Sequence, residues 1–146
     1  MIATLSQLIA RLESGNCTQA IRYEPGFERY ITDKALNRLV QSFGRAFISK
    51  ATARELLKYS YGKYQIMGQN LYDLGLTITP FDFLANESAQ DAWFEEFIKS
   101  RKIDYSLDDI LKDDGKRERF ARLYNGDPVV YGKRMLEIYN YWSVKS

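Results

Sequence analysis

The sequence predicts a mainly α-helical protein with one small β element. Apolar residues recur at three- and four-residue spacing along most of the chain, and this is the period of one face of a helix. The stretch from Ser60 to Gly68 breaks that spacing, because two glycines there bracket an alternating Tyr64 and Ile66. We therefore expect helices throughout and a short hairpin or extended loop near residues 60–68.

The N-terminal half is predicted to hold three helices. The first carries the apolar residues Ile2, Leu5, Leu8, Ile9 and Leu12, and Ser14-Gly15-Asn16 supplies residues that end helices. Glu13 therefore falls in the last turn of this helix. A loop is predicted through Tyr23-Glu24-Pro25-Gly26, followed by helices from Asp33 to Gly44 and from Ala51 to Leu57.

The C-terminal half is predicted to be helical after residue 68. A short helix from Gln69 to Leu74 stops at Gly75, and Pro80 closes the following loop. Asn86 is a good N-cap for the next helix, and Asp127-Pro128 opens the last one. Between them we expect a helical turn at 107–111 and a helical segment at 117–123.

The composition excludes several kinds of chemistry. The chain has no histidine, so it can form neither a Ser-His-Asp triad nor a histidine-ligated metal site. Cys17 is the single cysteine, which rules out an internal disulfide and a cysteine-based zinc site. We expect no metal and no cofactor. If the protein is an enzyme, carboxylates are the acid–base groups that the composition leaves.

Length and charge indicate one soluble domain over residues 1–146. The formal net charge is +2, and acidic and basic residues are interspersed, so no arm for nucleic acid is expected. No stretch approaches the roughly 18 apolar residues of a membrane span. The N-terminus lacks the basic region and cleavage site of a signal peptide, which predicts synthesis in the cytoplasm.

Three motifs stand in order along the chain. The first is Glu13-Ser14-Gly15-Asn16, followed by Ala20 and Arg22-Tyr23-Glu24-Pro25-Gly26-Phe27. The second is Ser60-Tyr61-Gly62-Lys63-Tyr64-Gln65-Ile66-Met67-Gly68, and the third is Tyr124-Asn125-Gly126. This order resembles the lytic transglycosylase and goose-type lysozyme group of the lysozyme superfamily, and most closely its phage-encoded members. The resemblance extends from Leu8 to about Tyr131.

The resemblance implies a lysozyme-like fold and Glu13 as the single catalytic acid. A carboxylic acid donates a proton near neutrality when burial raises its pKa. The implied substrate-binding residues are Ser60, Gly62, Gln65, Met67, Tyr124 and Asn125. Gly62 would let the backbone lie close to the sugar, and the Gln65 side-chain amide would both donate and accept hydrogen bonds with it. Met67 would pack beneath Glu13. The Tyr124 hydroxyl would point to the carboxylate or to the substrate acetamido group.

Structural alternatives remain for each motif. Taken alone, Glu13 is typical of a solvated carboxylate at the end of a helix. Residues 60–68 are also compatible with an ordinary turn, and Tyr124-Asn125-Gly126 with the end of a helix. Glu24 is the rival or secondary acid, although Pro25 favours a structural loop there. The acidic residues between 104 and 114 lack the register of a calcium loop.

The function expected from these motifs is cleavage of peptidoglycan between N-acetylmuramic acid and N-acetylglucosamine by a lytic transglycosylase. The alternatives are a hydrolytic muramidase and a phage tail or baseplate protein that keeps the fold without activity. The expected partners are peptidoglycan strands and other tail or baseplate proteins. The expected location is the phage virion, with action in the bacterial periplasm or cell wall.

Overall fold

The computed structural model describes residues 1–145, with side chains described through Ser143. Within that part of the chain the protein is mainly helical, and its strands form one antiparallel sheet of order β1-β2-β3. The elements in chain order are α1 (Leu5–Ser14), β1 (Ile21–Tyr23), a 3₁₀ helix (Pro25–Tyr30), α2 (Asp33–Ser42), α3 (Lys50–Leu56), β2 (Tyr59–Tyr61), β3 (Ile66–Met67), α4 (Gly68–Leu74), α5 (Pro80–Leu84), α6 (Glu87–Ser100), α7 (Leu107–Lys112), α8 (Asp114–Tyr124) and α9 (Pro128–Lys145).

The predicted fold class and the β element near 60–68 are confirmed. Strands β2 and β3 form a hairpin in which Ser60 lies opposite Met67 and Tyr61 lies opposite Ile66. The turn between them reverses the chain with Gly62 and Gln65 in the left-handed region, at φ 81° and 52°. Glycine adopts such a φ without steric cost, whereas glutamine at that φ needs side-chain support.

Helix α1 ends at the stop that the sequence predicted, Ser14-Gly15-Asn16. Thr4 and Gln7 form a capping box at its N-terminus. Gly15 ends it with φ 65°, and its N–H donates to the Ala10 and Arg11 carbonyls. These caps fix Glu13 in the last turn of the helix.

Two predicted loops contain regular structure. The stretch through Tyr23-Glu24-Pro25-Gly26 forms β1 and the start of the 3₁₀ helix instead of a loop. All three β1 side chains are exposed, so no alternation of burial marked this strand in the sequence. Pro80, predicted to close a loop, is the first residue of α5, whose N-cap Thr79 accepts from the Asp82 N–H.

The packing of α9 connects the two ends of the chain. It lies against α8 and against α1, and Met135 on α9 is fully buried with Leu8, Ile9 and Phe120. Burying such side chains stabilises the fold by about 1.5–3 kcal/mol each. The last helix is thereby held beside the helix that carries Glu13.

Candidate active site

An open cleft of about 780 Å³ lies between the hairpin, the β1 strand with its 3₁₀ helix, and the C-terminal ends of α1, α6 and α8. Seven of the eight residues that the sequence predicted for the site line this cleft: Glu13, Glu24, Ser60, Gln65, Met67, Tyr124 and Asn125. The eighth, Gly62, lies elsewhere. The fold therefore brings together residues from positions 13 to 125.

Glu13 is held at the cleft by contacts of the residue that follows it. The Ser14 hydroxyl donates to the Lys63 carbonyl at 2.8 Å and accepts from the Cys17 N–H at 3.0 Å. These bonds join the end of α1 to the hairpin turn. The orientation of Glu13 therefore depends on the hairpin as well as on its own helix.

The Glu13 carboxyl is mostly shielded from water, and this burial raises its pKa above the ordinary value. The hydrogen bond from Tyr131 and the positive charges of Arg22 and Arg134 lower the same pKa and offset part of the effect. The net direction is upward. A larger protonated fraction thus persists at a given pH than for a solvated glutamate, as a proton donor requires.

The hydroxyl that contacts Glu13 belongs to Tyr131, a residue outside the three sequence motifs. Tyr131 is buried on α9, and its hydroxyl donates to Glu13 Oε2 at 2.7 Å. These two residues are 118 positions apart. Only the packing of α9 on α1 reveals the pair.

Tyr124 has a different role from the one that the resemblance implied. Its hydroxyl donates to the Tyr64 carbonyl at 2.7 Å, and its ring packs against Phe120 and Phe97 with centroids 5.5 Å away in each case. The bond from this hydroxyl to the Glu13 carboxylate, one of the two partners that the resemblance implied, is not made in this structure. Tyr124 fixes the hairpin turn to α8 and presents part of its ring to the cleft.

The Gln65 amide is largely used within the protein. Its nitrogen donates to the Ala20 and Gly62 carbonyls at 3.1 and 2.9 Å, and its oxygen accepts from the Ser60 hydroxyl at 2.6 Å. The prediction of a two-sided amide for the substrate needs correction, because both amide hydrogens are taken. This network supports the left-handed backbone of Gln65 and joins β1 to the hairpin.

Gly62 is buried and faces a side chain, not the cleft. A Cβ placed on it would lie 2.6 Å from Gln90 Oε1. The Gly62 backbone, which was predicted to lie close to a sugar, therefore lies close to the Gln90 side chain. Gln90 is buried on α6, where its oxygen accepts from the Lys63 N–H and its nitrogen donates to the Thr18 and Phe83 carbonyls. No pattern in the sequence singled out this residue.

The remaining predicted residues occupy the cleft walls. Ser60 and Met67 are cross-strand partners, and both line the cleft, as Glu13 does. Asn125 is the C-cap of α8 and lies exposed at the cleft rim, with Gly126 at φ 91° beyond it. Tyr124-Asn125-Gly126 thus both ends helix α8 and lines the cleft.

Glu24, the rival acid, lies in the same cleft and is paired. Its Oε1 accepts from Arg22 Nε at 2.7 Å, and its N–H donates to the Lys58 carbonyl at 2.8 Å. The Arg22 charge also acts on Glu13. Arg22 therefore pairs with one carboxylate and acts electrostatically on the other.

The described residues lack both a metal-binding cluster and a membrane-spanning helix. They contain no cluster of three or more acidic or cysteine side chains suited to a metal ion. Over the same residues, no helix combines the length and hydropathy needed to span a bilayer.

The chain is similar to known proteins over most of its length. A family model described as N-acetylmuramidase matches residues 46–143. The chain is also 31% identical to the endolysin of Enterobacteria phage PRD1, over 149 aligned residues that cover 97% of this chain and 98% of that protein. No solved structure matches the chain. The chain belongs to the N-acetylmuramidase family.

Proposed function

We propose that the protein is a muramidase that hydrolyses the bond from N-acetylmuramic acid to N-acetylglucosamine in peptidoglycan, with Glu13 as the proton donor. One observation carries the assignment of the acid. In a chain of the N-acetylmuramidase family, Glu13 lies in an open cleft, and burial raises its pKa. A carboxyl with these properties protonates the leaving oxygen of a glycosidic bond.

Hydrolysis is favoured over the transglycosylation expected from the sequence motifs. The matching family model is that of muramidases, and the PRD1 relative is an endolysin. In addition, Glu24 lines the same cleft, so a second carboxylate is available to bind water. Hydrolysis by an acid and a base needs two carboxylates across the substrate. We therefore assign proton donation to Glu13 and orientation of water to Glu24.

The reaction product tests this choice. Digestion of purified sacculi is expected to release muropeptides with reducing muramic ends, which borohydride converts to the alditols. Mass spectrometry before and after reduction measures both forms. Muropeptides lighter by one water, with 1,6-anhydro ends that resist borohydride, as the main product would make the enzyme a transglycosylase.

Because Tyr131 donates a hydrogen bond to Glu13, we expect Tyr131→Phe to shift the pH dependence of kcat/KM. The bond stabilises the charged carboxylate, so its loss raises the pKa of Glu13 further. Because the acid must be protonated, the alkaline limb of kcat/KM should move to higher pH.

Tyr124→Phe is the matched control for this shift. It removes a hydroxyl that bonds to the Tyr64 carbonyl, so it should leave the alkaline limb in place. An unchanged limb in Tyr131→Phe, or an equal shift in both variants, would contradict the role of Glu13 as the acid.

We further propose that the chain is a phage lysis enzyme, because its relative over nearly the full length is a phage endolysin. The association with tail or baseplate proteins, the virion location and the action in the periplasm or cell wall stay predictions. Immunoblots of purified particles test the virion location. Failure to clear a suspension of purified peptidoglycan would favour the inactive structural protein.

A further inference from the structure

The walls of the cleft carry positive charge that the protein does not neutralise. Arg22, Arg29, Arg101 and Arg122 line it, and within the described part of the chain Arg22 alone has a carboxylate partner. Among the residues that the structure describes, no acidic side chain lies within ion-pair distance of the other three guanidinium groups. Three unpaired arginines therefore face the space that a ligand would fill.

The three arginines come from three separate elements. Arg29 belongs to the 3₁₀ helix and lies over the Tyr30 ring, whereas Arg101 caps α6 and lies over the Phe97 ring, each at 4.9 Å. Arg122 is in the last turn of α8. Stacking on an aromatic ring restrains a guanidinium and leaves its N–H groups free to bind an anion.

An effect on the pKa of Glu13 does not account for these charges. The arginines that lower the pKa of Glu13 are Arg22 and Arg134, and none of the three unpaired residues is among them. Each of the three also lies in the last turn or at the C-cap of its helix, where a positive charge is favourable. That placement does not explain why all three meet at one cleft. A ligand with negative charge accounts for their meeting at one cleft.

Peptidoglycan carries its negative charge in a defined place. The N-acetylated sugars of the glycan are neutral. The carboxylates belong to the stem peptide on muramic acid, or to the lactyl group itself where no peptide is attached. A strand bound with a muramic residue next to Glu13 therefore brings carboxylates to the cleft walls. Arginine pairs with carboxylates in two-bond geometry.

We propose that Arg29, Arg101 and Arg122 bind the carboxylates of the stem peptides, so that the enzyme selects glycan strands that carry charged peptides. This inference rests on the proposed function. It adds that affinity for the substrate comes in part from the peptide and not from the sugars alone.

The test compares two forms of one substrate. Soluble, uncross-linked peptidoglycan is used as such, or after its carboxyl groups are converted to amides with a carbodiimide and excess ammonia. For the wild type we expect kcat/KM to fall roughly tenfold on the amidated strands, mainly through KM, because each charge-assisted hydrogen bond contributes about 1.5–3 kcal/mol before screening by water.

Two variants test whether the cleft arginines cause the fall in kcat/KM on amidated strands. In Arg101→Gln/Arg122→Gln, kcat/KM on native strands should fall by a similar factor, and amidation should then matter little. Arg45→Gln is the matched control, since Arg45 is exposed and lies outside the cleft lining. It should behave like the wild type, and equal thermal midpoints would show that all variants fold.

Each outcome has a separate meaning. Equal cleavage of both substrates by the wild type overturns the inference and leaves the muramidase assignment intact. If amidation lowers kcat/KM of the double variant as much as that of the wild type, the inference is also overturned, because the carboxylates are then bound elsewhere on the enzyme. Dependence on covalently attached wall phosphate in place of carboxylate overturns the assignment to the peptide. Failure of the wild type to cleave either form refutes the proposed function itself.

Discussion

Replacement of Glu13 by glutamine is expected to lower glycan cleavage by roughly 10²–10⁴-fold, the usual contribution of general acid–base catalysis. Glutamine keeps the shape of the side chain and can still accept the Tyr131 hydrogen bond, but it has no proton to donate to a leaving oxygen. The loss should appear in kcat with little change in KM, because the missing interaction develops in the transition state. Release of soluble muropeptides from sacculi measures it.

Stability gives an independent readout of the same variant. The Glu13 carboxyl is shielded from water at a cost in free energy, so a neutral amide there should leave the thermal midpoint unchanged or raise it slightly. Loss of activity together with unfolding would therefore point to a structural role.

Glu24→Gln is the comparison variant, because its carboxylate lines the same cleft and is already paired with Arg22. Its activity should fall less than that of Glu13→Gln. A Glu13→Gln protein that cleaves like the parent, beside an inactive Glu24→Gln protein, would show that Glu24 is the acid.

The helices of this fold were predictable because their signals are local. Apolar residues at helical spacing, the stop at Ser14-Gly15-Asn16 and the Asp127-Pro128 start each act within a few positions of the chain. The glycines that bracket Tyr64 and Ile66 likewise marked the hairpin. Strand β1 and helix α5 were missed, since the exposed β1 side chains show no alternation and Pro80 suits both a loop and a first helical turn.

The site was predictable in its residues but less so in its contacts. The motif order placed seven of the eight predicted residues in one cleft. The partners of those residues are distant in sequence, as Tyr131 is from Glu13 and Gln90 is from Thr18. Such pairs result from the packing of α9 and α6, which no local pattern encodes. The roles of Tyr124, Gln65 and Gly62 needed correction for this reason.

The second large effect is expected for Gly62→Ala, which should lower the free energy of unfolding by about 3 kcal/mol. A positive φ at a residue other than glycine costs on the order of 1–3 kcal/mol. The new methyl group would also lie 2.6 Å from Gln90 Oε1 and 2.7 Å from its Cδ. Gln90 cannot move away cheaply, because it is 1% exposed and its amide bonds to Lys63, Thr18 and Phe83.

Gly44→Ala separates strain from crowding. Gly44 also has a positive φ, 56°, but a Cβ there would meet no atom within 4 Å. This control should lose only about 1 kcal/mol. Urea denaturation measures both values, and the difference between them reports the contact with Gln90. Equal losses in the two variants would mean that Gln90 does not hold the hairpin turn.

A double-mutant cycle with Gln90→Ala completes the argument. Gln90→Ala alone should destabilise the protein, because it leaves the Lys63 N–H and the Thr18 carbonyl without their partner. It also removes the atoms that crowd Gly62, so the double variant should be more stable than the sum of the single losses predicts. Strict additivity would contradict the contact. The same turn carries the Lys63 carbonyl that accepts from Ser14, so Gly62→Ala should also reduce cleavage by displacing Glu13 from the cleft wall.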